Sequence, residues 1–261
     1  MFSKLLKNDL KKNMRWLWIL FASTILVAGI TRGCVELGEK FAFFRILAIF
    51  FDSVFYAVAV NVILQPFLRS FLNFTKSFYS DEAYLTHTLP VTKNELINSK
   101  FLTAMIEITL GFLCVVVSIL IKFASPTMLD TLKLLLSAVI SGEFSVLLVL
   151  ALVVFLIIVE FLMYIAIIFF SIVVAYRSRE KRVLKSFLLT AAMAFASLAV
   201  LAVILVVVLV ANGVKINTST LVLSSSAFIS VVITGIVVYC AVIVLFYFLT
   251  KREFNKGVNV D

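Results

Sequence analysis

The segment FSVLLVLALVVFLIIVEFLMYIAIIFFSIVVAY, residues 144–176, carries a single charged side chain, Glu160. A helix needs about 20 apolar residues to cross the roughly 30 Å of bilayer hydrocarbon, so this run is long enough to span a membrane. Because lipid offers the backbone no hydrogen-bond partner and the run lacks the alternation of a β-barrel strand, it must be helical. The segment therefore predicts an all-α membrane protein.

Further apolar runs on both sides of this segment extend the pattern. The mean hydropathy of +1.18 and the 63% hydrophobic content of the 261 residues lie outside the range of soluble domains. We predict a polytopic protein with one transmembrane domain over residues 1–261. Its six spans are residues 16–30, 43–65, 101–121, 144–176, 187–210 and 228–250.

The distribution of basic residues predicts the orientation. Of the 23 Lys and Arg residues, 17 fall before span one, between spans two and three, between spans four and five, or after span six. Loops rich in Lys and Arg stay in the cytoplasm, so both termini are predicted to be cytoplasmic in a multi-pass protein of the cell membrane. This topology and contact with membrane lipid account for the net charge of +9, and we predict no nucleic-acid partner.

Two segments outside the spans are amphipathic. In residues 1–13, Phe2, Leu5 and Leu6 share one helical arc and the lysines lie opposite, which predicts an interfacial elbow helix on the inner leaflet. The outer loop 124–143 contains MLDTLKLLLSAV. That stretch predicts a helix at the outer leaflet, which either covers a transport pathway or simply rests on lipid.

The inventory of reactive residues argues against an enzyme. His87 is the one histidine, and neither a P-loop nor a C-x-x-C pair occurs, so we predict no catalytic residue, no metal site and no cofactor in this chain. Pro66, Pro90 and Pro126 lie at predicted span ends or in loops. The broken midplane helices typical of ion-coupled carriers are therefore not indicated.

The polar insert YSDEAYLTHTLPVTKNELINSK, residues 79–100, has helix signals of its own. Ser80 can cap a helix that begins with Asp81 and Glu82, and Pro90 stops it. The T-x-x-E pattern of Thr92 then predicts the start of a new helix that continues into span three. The short helix, residues 79–90, either packs back on the spans or docks into a partner.

The run YSDEAYLTHTLPVT resembles the coupling helix of bacterial ABC transporter permeases of the type-2 exporter class, and the six-span layout and N-terminal elbow are similar to that class. The resemblance implies a permease that dimerises and is driven by a separate cytoplasmic ABC ATPase subunit, which holds ATP and Mg²⁺. A homodimer is favoured for economy and a heterodimer stays open. The residues implied to contact the ATPase are Tyr79, Ser80, Asp81, Glu82, Tyr84, Leu85, Leu89 and Pro90.

Three acids lie inside the spans, namely Asp52, Glu107 and Glu160. Each costs about 2.5 to 3.5 kcal/mol at the centre of a membrane helix on insertion scales. Each is therefore interpreted either as a hydrogen-bonded staple between helices or as part of a polar substrate pathway.

Three functions are consistent with the sequence. The first is the permease half of an ATP-driven exporter of hydrophobic or amphipathic cargo, such as a peptide. The others are an ion-coupled secondary carrier and a membrane scaffold or sensor that transports nothing.

Overall fold

The computed structural model describes residues 2–79, 91–124, 145–177, 181–213 and 225–256. In the range 145–177 side chains are described from residue 151, and in the range 225–256 from residue 227. The described residues contain helices and no strand. The helices are α1 Phe2–Gly38, α2 Ala42–Tyr79, α3 Lys93–Lys122, α4 Ser145–Ala175, α5 Arg182–Ala211 and α6 Ser225–Asn255.

Each of these six helices overlaps one predicted span and contains a stretch long and apolar enough to cross a membrane. The prediction of an all-α, multi-pass membrane protein is confirmed at this level. The orientation of the termini stays a prediction. The predicted coupling helix, apart from Tyr79, and the predicted helix of the outer loop lie outside the described residues.

The N-terminal segment differs from the sequence prediction in its connection to the first span. Residues 2–13 are helical, but they form the first turns of α1 and not a separate elbow. No proline interrupts α1, and its glycines, Gly29, Gly33 and Gly38, come well after this segment. The chain therefore has no local signal that would end a helix between residue 13 and the first span.

The second span also continues further than its hydropathy indicates. Pro66, placed at the end of that span from the sequence, lies inside α2, which runs on to Tyr79. Because proline has no backbone N–H, the carbonyl of Val62 lacks the helical donor that residue 66 would otherwise supply. The Val62 carbonyl therefore lies inside α2 but outside its regular hydrogen-bond ladder.

Helix α3 comes close to α2 at this point, because Gly111 has no side chain. A Cβ atom added to Gly111 would lie 3.2 Å from the carbonyl oxygen of Val62 and 3.9 Å from Cγ of Pro66. Glycine allows such an approach of two helix backbones in a membrane protein. The contact belongs to a core of Leu17 and Phe21 from α1, Ala59 and Val62 from α2, and Cys114 and Val115 from α3.

The chain divides into two compact units, and each is described separately. Unit 1 comprises Met1–Leu72 and Glu95–Glu143, and unit 2 comprises Asn73–Asn94 and Phe144–Asp261. The boundaries fall inside α2 and near the start of α3. The last turns of α2 therefore belong to the same unit as α4, α5 and α6.

In unit 2, α4 packs against both α5 and α6, and its side chains form the centre of the unit. Met163, Ile165 and Ile167 of α4 are fully buried. Helix α5 differs from α4, because its large apolar side chains are exposed along its whole length. They are Val183, Leu184, Phe187, Leu188, Phe195, Val200, Val203, Val206, Val207 and Val210. Such a surface suits contact with lipid or with another membrane helix.

Candidate functional site

The residues on either side of segment 80–90 are held in one cluster of unit 2, which we call the platform. It is formed by the last turns of α2, the start of α3 and the ends of α4 and α6. Its members are Phe74, Phe78, Tyr79, Asn94, Phe169, Tyr176, Arg177, Glu253, Phe254 and Asn255.

Four phenylalanines form the buried part of the platform. Phe74 stacks on Phe169 with ring centroids 4.5 Å apart, and Phe78 meets Phe254 edge to face at 4.9 Å. Phe74 and Phe78 also contact each other at 4.8 Å. Aromatic pairs at such distances contribute about 0.5 to 1.5 kcal/mol beyond the area that they bury. The end of α2 is therefore fixed to both α4 and α6.

Tyr79 is the last described residue before segment 80–90, and it too is held in place. Its ring lies 4.4 Å from the ring of Tyr176, at the end of α4, with an interplanar angle of 31°. Of the residues predicted to contact an ATPase, Tyr79 alone belongs to the described residues. Ser80, Asp81, Glu82, Tyr84, Leu85, Leu89 and Pro90 lie outside them.

Ion pairs join the ends of α4 and α6 beside these rings. Arg177 Nη1 lies 2.5 Å from Glu253 Oε2, and Arg177 Nη2 donates to the backbone carbonyl of Glu253 at 3.4 Å. Lys256 Nζ contacts the other carboxylate oxygen of Glu253 at 2.6 Å. The Glu253 carboxylate therefore binds two cations, one from each helix end.

The far side of segment 80–90 is attached to the same cluster. Helix α3 begins at Lys93, with Glu95 in its first turn, so Thr92 occupies the N-cap position that the T-x-x-E pattern predicts. That part of the sequence prediction is confirmed. Asn255 at the end of α6 donates to the side-chain oxygen of Asn94 at 3.4 Å. Both flanks of the segment are thus tied to the end of α6.

The predicted pathway acid Glu107 is fully buried in unit 1. Its Oε1 accepts a hydrogen bond of 2.7 Å from Asn13 Nδ2 of α1, and its Oε2 has no hydrogen-bond partner among the described residues. Two turns earlier on α3, Lys100 Nζ lies 2.8 Å from Asp9 Oδ1, and Ser99 donates to Asp9 Oδ2 at 3.0 Å. The Asn13–Glu107 hydrogen bond therefore links α1 to α3.

The other two acids have partners as well. Asp52 of α2 forms an ion pair with Lys122 at the end of α3, inside unit 1. In unit 2, Tyr164 donates to Glu160 Oε1 at 3.4 Å. Each acid is thus held by groups of its own unit. In the described part of the chain, no three His, Cys, Asp or Glu side chains converge as metal ligands.

Several of these residues were not identified as site residues from the sequence. Asn13, Arg177 and Glu253 find partners 94 and 76 residues away, and no local pattern reports such pairings. Phe74 and Phe78 did carry a signal, because two aromatic residues four positions apart share one face of a helix.

Comparison with protein-family models, with curated proteins and with solved structures finds no match to this chain.

Proposed function

We propose that this chain is the permease half of an ATP-driven ABC exporter. Residues 79–90 would be the segment on which a separate cytoplasmic ATPase subunit docks, and that subunit would bind ATP and Mg²⁺. Two copies of the permease in the cell membrane, with their termini in the cytoplasm, would export a hydrophobic or amphipathic cargo such as a peptide.

The observation that supports this proposal most directly is the attachment of both flanks of segment 80–90 to the platform. Tyr79 contacts Tyr176 on one side, and Asn94 contacts Asn255 on the other. Packed protein interiors are nearly incompressible and transmit displacement. A force on the segment would therefore reach the ends of α2, α4 and α6 with little loss, as coupling to an ATPase requires. The resemblance of YSDEAYLTHTLPVT to known coupling helices supports the same assignment.

The first test is the substitution Leu85→Asp, with Leu184→Asp as its matched control. Leu85 belongs to the proposed docking segment, whereas Leu184 is an exposed leucine at the start of α5 and lies, in the predicted topology, on the same side of the membrane. We expect Leu85→Asp to lower ATPase recovery at least tenfold when the tagged permease is purified from its native cells. Leu184→Asp should leave recovery unchanged.

Cargo export measured in the same strains separates the competing functions. Wild-type ATPase recovery and wild-type export in the Leu85→Asp strain would contradict the docking assignment. Export that survives ATP depletion but stops when the proton or sodium gradient is collapsed would indicate an ion-coupled carrier. A cargo distribution that does not change when the gene is deleted would indicate a scaffold or sensor.

A further inference from the structure

Lys122, the last residue of α3, is enclosed by aromatic rings. Its Nζ lies 4.1 Å from the ring centroid of Tyr56 and 4.9 Å from those of Phe55 and Phe123. The Asp52 carboxylate forms an ion pair with the same ammonium group. We call Phe55, Tyr56, Phe123 and Asp52 the aromatic box, and all of its members belong to unit 1.

The pattern of exposure in the aromatic box is unusual for a lysine at a helix end. The Lys122 side chain is 8% exposed, while Asp52 is 40% exposed and Tyr56 and Phe123 are each more than half exposed. A lysine near the end of a membrane helix normally extends its ammonium group towards water or lipid headgroups. The ammonium group of Lys122 is instead covered by Tyr56, Phe123 and Asp52, and these three side chains are accessible from outside the protein.

The chemistry of the aromatic box is that of an ammonium receptor. The faces of aromatic rings attract a cation through their quadrupole, and rings grouped around one cation form the cages that bind quaternary ammonium ligands. A carboxylate at the rim adds charge attraction, which is strong where water is partly excluded. Phe55 is almost completely buried and forms the base of the box. Phe55 therefore closes the bottom of the site, Tyr56 and Phe123 flank the ammonium group, and Asp52 supplies the opposite charge.

We propose that the aromatic box is a binding site for the ammonium group of an amphipathic molecule, and that Lys122 is a tethered occupant which such a molecule displaces. A tethered group competes at a high effective concentration, so the intact chain should bind ammonium compounds weakly, and removal of Lys122 should strengthen binding. This inference goes beyond the proposed function and does not rest on an ATPase partner.

The test compares choline with its uncharged isostere 3,3-dimethylbutan-1-ol by calorimetric titration of the detergent-purified chain. Lys122→Met should bind choline at least tenfold more tightly than the wild type, and it should bind the uncharged isostere no better than the wild type does. Adding Asp52→Asn to Lys122→Met should weaken choline binding again, at least tenfold. Lys40→Met, which removes an exposed lysine, is the control and should behave as the wild type.

If Lys122→Met fails to fold, acetylation of Lys122 in the wild type provides a second test. The rate at which an amine-reactive reagent acetylates Lys122 is measured by mass spectrometry relative to that of Lys40. Displacement from the aromatic box should raise the relative rate at least threefold when choline is added. The same assay in phosphatidylglycerol nanodiscs with and without phosphatidylcholine identifies the source of the ammonium group, because a rise with phosphatidylcholine alone indicates a lipid headgroup.

Two results would overturn the proposal. One is a folded Lys122→Met protein, with the melting temperature of the wild type, that shows no saturable choline binding or binds the uncharged isostere equally well. The other is a Lys122 acetylation rate that neither choline nor phosphatidylcholine changes.

Discussion

Gly111 marks the point at which a single methyl group should disturb the packing of unit 1. In Gly111→Ala the new Cβ would lie 3.2 Å from the Val62 carbonyl oxygen, and a backbone atom cannot move away as a flexible side chain can. We expect a loss of about 1 to 3 kcal/mol, the usual cost of overpacking, seen as a lower melting temperature in detergent.

Gly29→Ala is the matched control for that substitution, because no heavy atom lies within 4 Å of the position that its Cβ would occupy. Alanine favours a helix over glycine by about 1 kcal/mol. The melting temperature of Gly29→Ala should therefore equal or exceed that of the wild type. Equal losses of stability in the two variants would show that the contact of Gly111 with α2 is unimportant.

At the scale of single residues, the sequence predicts which residues are unusual but not which residues they contact. Glu107 was identified as an expensive intramembrane acid, and it is indeed buried. The sequence does not indicate its partner Asn13, because Asn13 falls in the segment that is predicted to form an interfacial elbow. Likewise, Pro66 is predicted to lie at a span end, but it lies inside α2, and the close approach of Gly111 to the Val62 carbonyl depends on α3, far along the chain.

At the scale of elements, the ion pair between Arg177 and Glu253 should stabilise the junction of α4 and α6. The Arg177 side chain is 41% exposed and that of Glu253 is 16% exposed, so solvent weakens the attraction between them. We expect a small coupling energy that favours the intact pair. It is measured by a double-mutant cycle of Arg177→Met and Glu253→Gln, followed by thermal unfolding.

The exchange variant that carries Arg177→Glu and Glu253→Arg keeps two opposite charges but reverses their positions. It should recover part of the stability that the single substitutions lose. Lys76→Met removes a positive charge from an exposed site at the end of α2, and it serves as the control for net charge. Strictly additive effects of the two single substitutions would mean that the pair contributes nothing to the platform.

The existence of the helices was predictable from hydropathy, but their ends were predictable only where a local signal exists. The start of α3 follows from Thr92 and Glu95, because a capping box acts within one turn. Helices α1 and α2 extend beyond their apolar runs because their polar turns pack on protein. Asp9 binds Lys100, and Phe74 and Phe78 pack against α4 and α6. Hydropathy contains no information on such contacts.

At the scale of the whole molecule, the proposed function predicts two copies of this chain in each working complex. Helix α5 carries Ala192, Ala196 and Ala199 on an exposed face, and small residues allow two membrane helices to approach closely. Native mass spectrometry of the complex released from detergent should give a mass that contains two copies of this 29.1 kDa chain. A complex that exports cargo with one copy would contradict the dimer.

The division into two units could not be predicted, because six apolar runs of similar character do not show which helices pack together. The boundaries at Leu72 and Glu95 follow from contacts such as those of Phe74 with Phe169. In contrast, the composition alone predicts that the chain is a membrane protein.

The pairing of α1 with α3 also has a consequence for synthesis in the membrane. Asn13 and Asp9 contact Glu107 and Lys100, which are 94 and 91 residues later in the chain. At about 5 to 20 residues per second, α1 would wait roughly 5 to 20 seconds before these partners are translated. During that interval the polar first turns of α1 are best solvated at the bilayer surface. The nascent chain would therefore keep these first turns at the bilayer surface until α3 arrives.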